Sequence, residues 1–126
     1  MWNNLQSKKG KSVMKLEEIF GSLEAVDYIS RRDGHADLVM IVNGYVGDSF
    51  DEQAALDRKL MYYIDYAGSE EFFAVYGRVE TCITVSFTER PSDAIIDRLN
   101  VWHADMAGAP VSLAVTIAGL PMLFLD

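Results

Sequence analysis

Apolar residues recur along this chain with two different periods. In residues 13–23, Val13, Leu16, Ile19, Phe20 and Leu23 are spaced three or four apart with acids between them, which predicts a short amphipathic helix that Gly21 can end early. Alternation follows at Ala25–Ser30, where Val26 and Tyr28 flank Asp27, and this predicts a first strand. Asp37–Asn43 holds Leu38-Val39-Met40-Ile41-Val42, apolar on both faces, and so predicts a strand in the middle of a sheet. Between the two lies Asp33-Gly34, a strong local signal for an antiparallel hairpin, because both residues tolerate positive φ.

Ser49 and Glu52 have the spacing of a capping box. The helix they open carries Leu56, Leu60, Tyr63, Ile64 and Ala67 on one stripe, and Gly68 stops it. Ser69 through Phe73 predicts a second cap and a short turn of helix ending near Gly77. Thr81, Ile83, Val85 and Phe87 then alternate with Glu80, Cys82, Thr84 and Ser86, which predicts a half-buried strand. Pro91-Ser92-Asp93 opens a helix with Ile95, Ile96, Leu99, Trp102 and Met106 on its stripe, ended by Gly108 and Pro110. A last strand follows, with Val111, Leu113, Val115 and Ile117 against Ser112, Ala114 and Thr116.

The expected fold is α+β: an α/β two-layer sandwich of order β-β-α-β-α-β behind a short N-terminal helix. Its four-stranded mixed sheet, in the order 1-2-3-4, carries the two main helices on one face and leaves the other open. Residues 13–118 form the single domain. Residues 1–12 are a flexible basic leader, with Met14 as an alternative start to Met1, and residues 119–126 are an apolar tail.

The stretches VDYISRRDGHADLVMIVNGYV, LDRKLMYYIDYAGSEEFFAVYG and VETCITVSFTERPSDAII resemble a small bacterial family of uncharacterised ββαβαβ domains. The family's helix segment is represented by Lys59, Leu60, Tyr63 and Ile64, and its acidic connection, which often holds a Trp, here reads Gly44-Tyr45-Val46-Gly47. The resemblance implies the fold and brings no activity with it.

Composition narrows the function classes. Eleven Lys and Arg against nineteen Asp and Glu give a net charge of −8, and four of the bases, Lys8, Lys9, Lys11 and Lys15, precede the first acid. This balance argues against nucleic acid as the main partner. The single cysteine, Cys82, excludes an internal disulfide and a Cys-based zinc cage. No apolar run is long enough for a membrane-spanning helix, and without a secretory signal the default address is the cytoplasm.

Candidate chemistry is sparse. Asp33, His35 and Asp37 form a weak candidate metal site at the hairpin, read chiefly as a solvated turn, so no metal and no cofactor is expected. The chain lacks a Gly-x-Ser-x-Gly elbow, a phosphate-binding glycine loop and a His-Glu-x-x-His motif, which weighs against an enzyme. Candidate contact residues are Tyr62 and Tyr66 on the first long helix, and Asp48 and Asp51 in the acidic cluster at its start with Glu52 and Asp57. In the tail, Leu120, Met122 and Phe124 are expected at a homodimer interface, with folding back onto the chain's own sheet as the alternative. The reading is a non-catalytic protein acting through protein contact, inhibitor-like towards a basic partner. The alternative is a small-ligand binder or enzyme using the loops after residues 43 and 87.

Overall fold

The computed structural model describes residues 15–125. The basic leader 1–12 and Val13 lie outside the described residues. The chain runs α1 (Leu16–Phe20), β1 (Tyr28–Arg32), β2 (His35–Val42), α2 (Phe50–Ala67), α3 (Glu70–Tyr76), β3 (Glu80–Phe87), α4 (Asp93–Asp105), β4 (Val111–Ile117) and β5 (Leu120–Pro121). The sheet has five strands in the order β1-β2-β3-β4-β5, not four, and the connection between β2 and β3 holds two helices. β2, β3 and β4 are parallel, and the two outer strands are antiparallel to their neighbours.

Register explains the layers. Leu38 sits beside Ile83 and Leu113, and Met40 beside Val85 and Val115; all six are buried. Leu56, Leu60 and Tyr63 of α2 and Ile95 and Leu99 of α4 join the same core. The opposite face carries Asp37, Cys82 and Ser112 in one row and Val39, Thr84 and Ala114 in the next, all exposed or half-buried. The period-two pattern of the strands therefore places both main helices on one face.

Helix boundaries follow local chemistry. The Ser49 hydroxyl accepts from the Glu52 amide at 3.1 Å, and the Glu52 carboxylate turns back toward Ser49. Ser69 and Ser92 cap α3 and α4 in the same way. The Asp33-Gly34 turn forms, but the strands reach closer to it than the expected Ala25–Ser30 and Asp37–Asn43, leaving only these two residues between β1 and β2. Of the two, positive φ falls on Gly34 alone (70°). A Gly in that position accepts the left-handed backbone without the Cβ clash, so Asp33 has no need to adopt it.

The α2 stripe contains a lysine among its buried residues. Lys59 is 0% exposed, and its ammonium donates to the Phe20 carbonyl and to both Asp27 carboxylate oxygens at 2.9 Å. Asp27 in turn accepts from the Ile41 amide at 2.9 Å. Tyr63, one turn further along α2, accepts from the Asp27 amide at 2.8 Å and donates to the Val39 carbonyl at 2.9 Å. Burial pushes its phenol well above the usual range and keeps the donating proton in place. The β1–β2 ladder ends at Tyr28, and beyond it these side chains take over the hydrogen bonds of the β2 edge. The Asn43 amide continues the series by donating to the Ile19 carbonyl at 2.9 Å.

The tail belongs to the sheet. Ile117 pairs with Leu120 across the two-residue turn Ala118-Gly119, both with positive φ (51° and 83°), as a type I′ hairpin requires. The chain then crosses to the helix layer: the Met122 amide donates to Val115, the Phe124 ring stacks on His103 at 3.8 Å, and the Leu125 amide donates to Asn100. The domain thus extends past residue 118 through Leu125.

Two stability effects follow. Asp27→Asn leaves the Lys59 ammonium buried without a counter-charge and is expected to cost about 3 kcal/mol in urea unfolding. In a double-mutant cycle with Lys59→Met, coupling above about 1 kcal/mol is expected, and a cycle that sums to zero would refute the linkage. Ala118→Asn replaces a residue that resists the left-handed backbone with one that tolerates it. The expected gain is about 0.5 kcal/mol by the same measurement.

Candidate functional site

A cleft of about 680 Å³ opens where the loop after β2 meets the starts of α1 and α2. Its apolar wall comes from Leu16, Ile19 and Tyr45, its acidic wall from Glu17, Asp48, Asp51 and Glu52, and Lys15 adds a single cation to the rim. The loop is held in place from behind. The Gly44 amide donates to the Thr88 hydroxyl at 2.7 Å, and the Ser92 amide to the Val46 carbonyl at 2.9 Å. Val46 itself is fully buried.

The acids of the cleft divide into two kinds. Glu52 is committed to structure: it accepts from the Gly47 amide at 2.5 Å and from the Ser49 hydroxyl at 2.6 Å. A Cβ at residue 47 would stand 2.9 Å from a Glu52 oxygen, so glycine is needed there for the carboxylate to approach the backbone. Asp48 and Asp51 are exposed, and no hydrogen bond or ion pair engages their carboxylates among the described residues. Together with Glu17 they give the cleft a negative mouth above apolar side chains. Such a surface suits a Lys or Arg side chain, whose stem packs against Leu16 and Tyr45 while its head meets the carboxylates. Asp57, grouped with these acids in the sequence, faces elsewhere. It takes the Arg98 guanidinium through Nε at 2.9 Å and the Trp102 indole N–H at 2.8 Å, which ties α2 to α4.

The hairpin residues are dispersed. The His35 Nδ1 lies 3.4 Å from Glu80, and Asp37 accepts from the Thr84 hydroxyl at 2.8 Å. Asp33 sits in the turn, and no group of three or more His, Cys, Asp or Glu able to hold a metal occurs among the described residues. Cys82 is half-buried on the open sheet face.

Tyr62 and Tyr66 lie on the flank of α2 away from α4, both half-buried. The Tyr66 ring meets Phe72 edge-on at 5.5 Å, Phe72 packs against Tyr76 at 4.9 Å, and Arg31 of β1 reaches over Tyr76 at 5.7 Å. Burial raises the Tyr66 phenol, and the neighbouring Tyr76, Glu71 and Tyr62 add to the effect. Tyr66 thus joins an aromatic cluster whose far member, Tyr76, lies beside β1. In the tail, Met122 and Phe124 pack against the chain's own core, while Leu120, Leu123 and Leu125 stay exposed, Leu123 at 89%. The tail thus folds back in cis, the arrangement set out as the alternative to pairing in trans.

Sequence reasoning named Gly47, Asp27, Lys59 and Tyr63 but found neither the Gly47–Glu52 contact nor the buried Asp27–Lys59–Tyr63 group. The Gly47–Glu52 contact has a local signal, a glycine just before a capping box. The buried group has none beyond a lysine and a tyrosine one turn apart on an apolar stripe.

Compared with known proteins, the chain matches no family model, no curated protein and no solved structure.

The hairpin geometry generates a test. His35→Ala is expected to cost about 1 kcal/mol or less, since its half-buried ring in β2 gives up some packing as well as the contact with the exposed Glu80. Zinc is expected to leave the melting temperature of the parent unchanged; a rise in the parent that disappears in the variant would restore the metal site.

Proposed function

We propose that this protein is non-catalytic and acts through protein contact, as a homodimer that offers the acidic cleft to a basic partner. The observation that carries the reading is the pairing of two exposed, unengaged carboxylates, Asp48 and Asp51, with an apolar wall on a loop held rigid from behind. A preorganised anionic surface of this kind speeds encounter with a cationic partner and fixes its register without much ordering cost. The net charge of −8 acts in the same direction at longer range. The resemblance to uncharacterised bacterial ββαβαβ domains belongs to this reading and adds no activity to it.

A second reading, a small-ligand binder, draws on the cleft volume of about 680 Å³, which lies within the span of small-molecule sites. The two separate by titration calorimetry with a short oligolysine peptide and an oligoglutamate control. Oligolysine is expected to bind and to weaken as salt rises from about 50 to 200 mM, because the contacts are between solvent-exposed charges. Asp48→Asn with Asp51→Asn is expected to weaken it about 10-fold. Oligolysine binding that is indifferent to both salt and substitution would sink the contact reading.

A further inference from the structure

The two edges of the sheet are treated differently. β5 is two residues long, contains Pro121, which has no N–H to offer, and is followed by a tail that leaves the sheet for the helix layer. A strand of that kind is a poor template for another chain. β1 is five residues long and free of proline, and among the described residues its only strand neighbour is β2. Along an antiparallel pair, alternate residues turn their N–H and C=O groups away from the partner, so the outer edge of β1 presents a row of them to solvent. The edge is also apolar at one end, with Tyr28 57% exposed.

We propose that the outer edge of β1 is the homodimer contact, pairing antiparallel with β1 of a second copy about a two-fold axis at Ser30. This rests on the homodimer reading above and gives it a place. The residues favour a second copy as the occupant because β1 is complementary to itself in this register. Tyr28 falls opposite Arg32 of the second copy, and Ile29 opposite its Arg31, so no two like charges stand directly across from each other. Arg32 and Tyr28 share the open face, and an arginine beside an aromatic ring is a favourable cross-strand pair. Arg31 is already turned over Tyr76 on the helix side. Tyr76, under Arg31, borders this same edge and would approach its counterpart in the second helix layer. A five-residue strand pair is a short contact, so the dimer is expected at micromolar concentration or above.

Sedimentation velocity on the full chain at about 100 µM tests the proposal. The parent is expected to sediment as a dimer. Ser30 is on the face away from the helices, opposite Asp37, so a lysine there finds an acid neighbour in its own chain and the fold is kept. At the two-fold axis, however, Ser30→Lys sets two ammonium groups against each other, and the variant is expected to be monomeric. Mixing Ser30→Lys with Ser30→Glu is expected to restore a dimer, now mixed, because the axis then joins opposite charges. Leu123→Glu with Leu125→Glu is expected to leave the parent's dimer intact. A dimer that persists in Ser30→Lys overturns the β1 contact and leaves the homodimer reading standing. So does loss of the dimer only in the tail variant, which would move the contact to the exposed leucines. A parent that is monomeric throughout overturns both.

Discussion

The Lys59 ammonium, buried on α2 between the end of α1 and the approach to β1, is the constraint around which the N-terminal half is organised. An isolated buried charge is far too costly to tolerate, so the chain must deliver partners to it. It delivers three: the carbonyl that ends α1 at Phe20, and the two oxygens of Asp27 just before β1. To do so, residues 15–27 must run across α2 and along the edge of β2. The same path places Asp27 and Tyr63 where β1 stops pairing, so that the exposed edge groups of β2 are satisfied by side chains. A short helix of five residues, marginal by itself, is thereby held at its C-terminal end through the Ile19 and Phe20 carbonyls.

The position of α1 then determines the cleft. Leu16, Glu17 and Ile19 form one side of it only because α1 is anchored through Phe20 to Lys59. The other side depends on Glu52, which closes the start of α2 and pins Gly47. Rigid walls with two uncommitted carboxylates between them are the result. Asp57 is withdrawn from this surface by Arg98 and Trp102, whose bonds to it join the two main helices instead.

Edge management links the tail to association. By forming a tight hairpin and then crossing to α4, residues 118–125 shield one edge of the sheet and cover Met122 and Phe124 against their own core. Had the tail paired in trans, that edge would remain a free strand. With it folded back, β1 is the long unprotected edge, and Tyr76 of α3 lies on its flank.

Much of this architecture was legible in the residues alone. Periods of two and of three to four located the strands β3 and β4 and the helices α2 and α4, because each element must bury one face and the spacing declares which. β2 read as a run apolar on both faces, but only Ala36, Leu38, Met40 and Val42 are buried, while Ile41 is exposed. Ser49, Ser69 and Ser92 marked helix starts, since capping is settled within four residues. The fifth strand was not legible: Ala118-Gly119 is a weak turn signal, and two paired residues carry no period. Nor was the fate of charged side chains. Lys59, Asp27 and Asp57 look like surface residues in sequence, and whether a charge is buried, paired or free depends on groups 32 to 45 positions away. Local chemistry set where the elements begin and end. Only the folded chain decided which acids stay exposed and which hold the protein together, because charge pairing is a matter of distance in space.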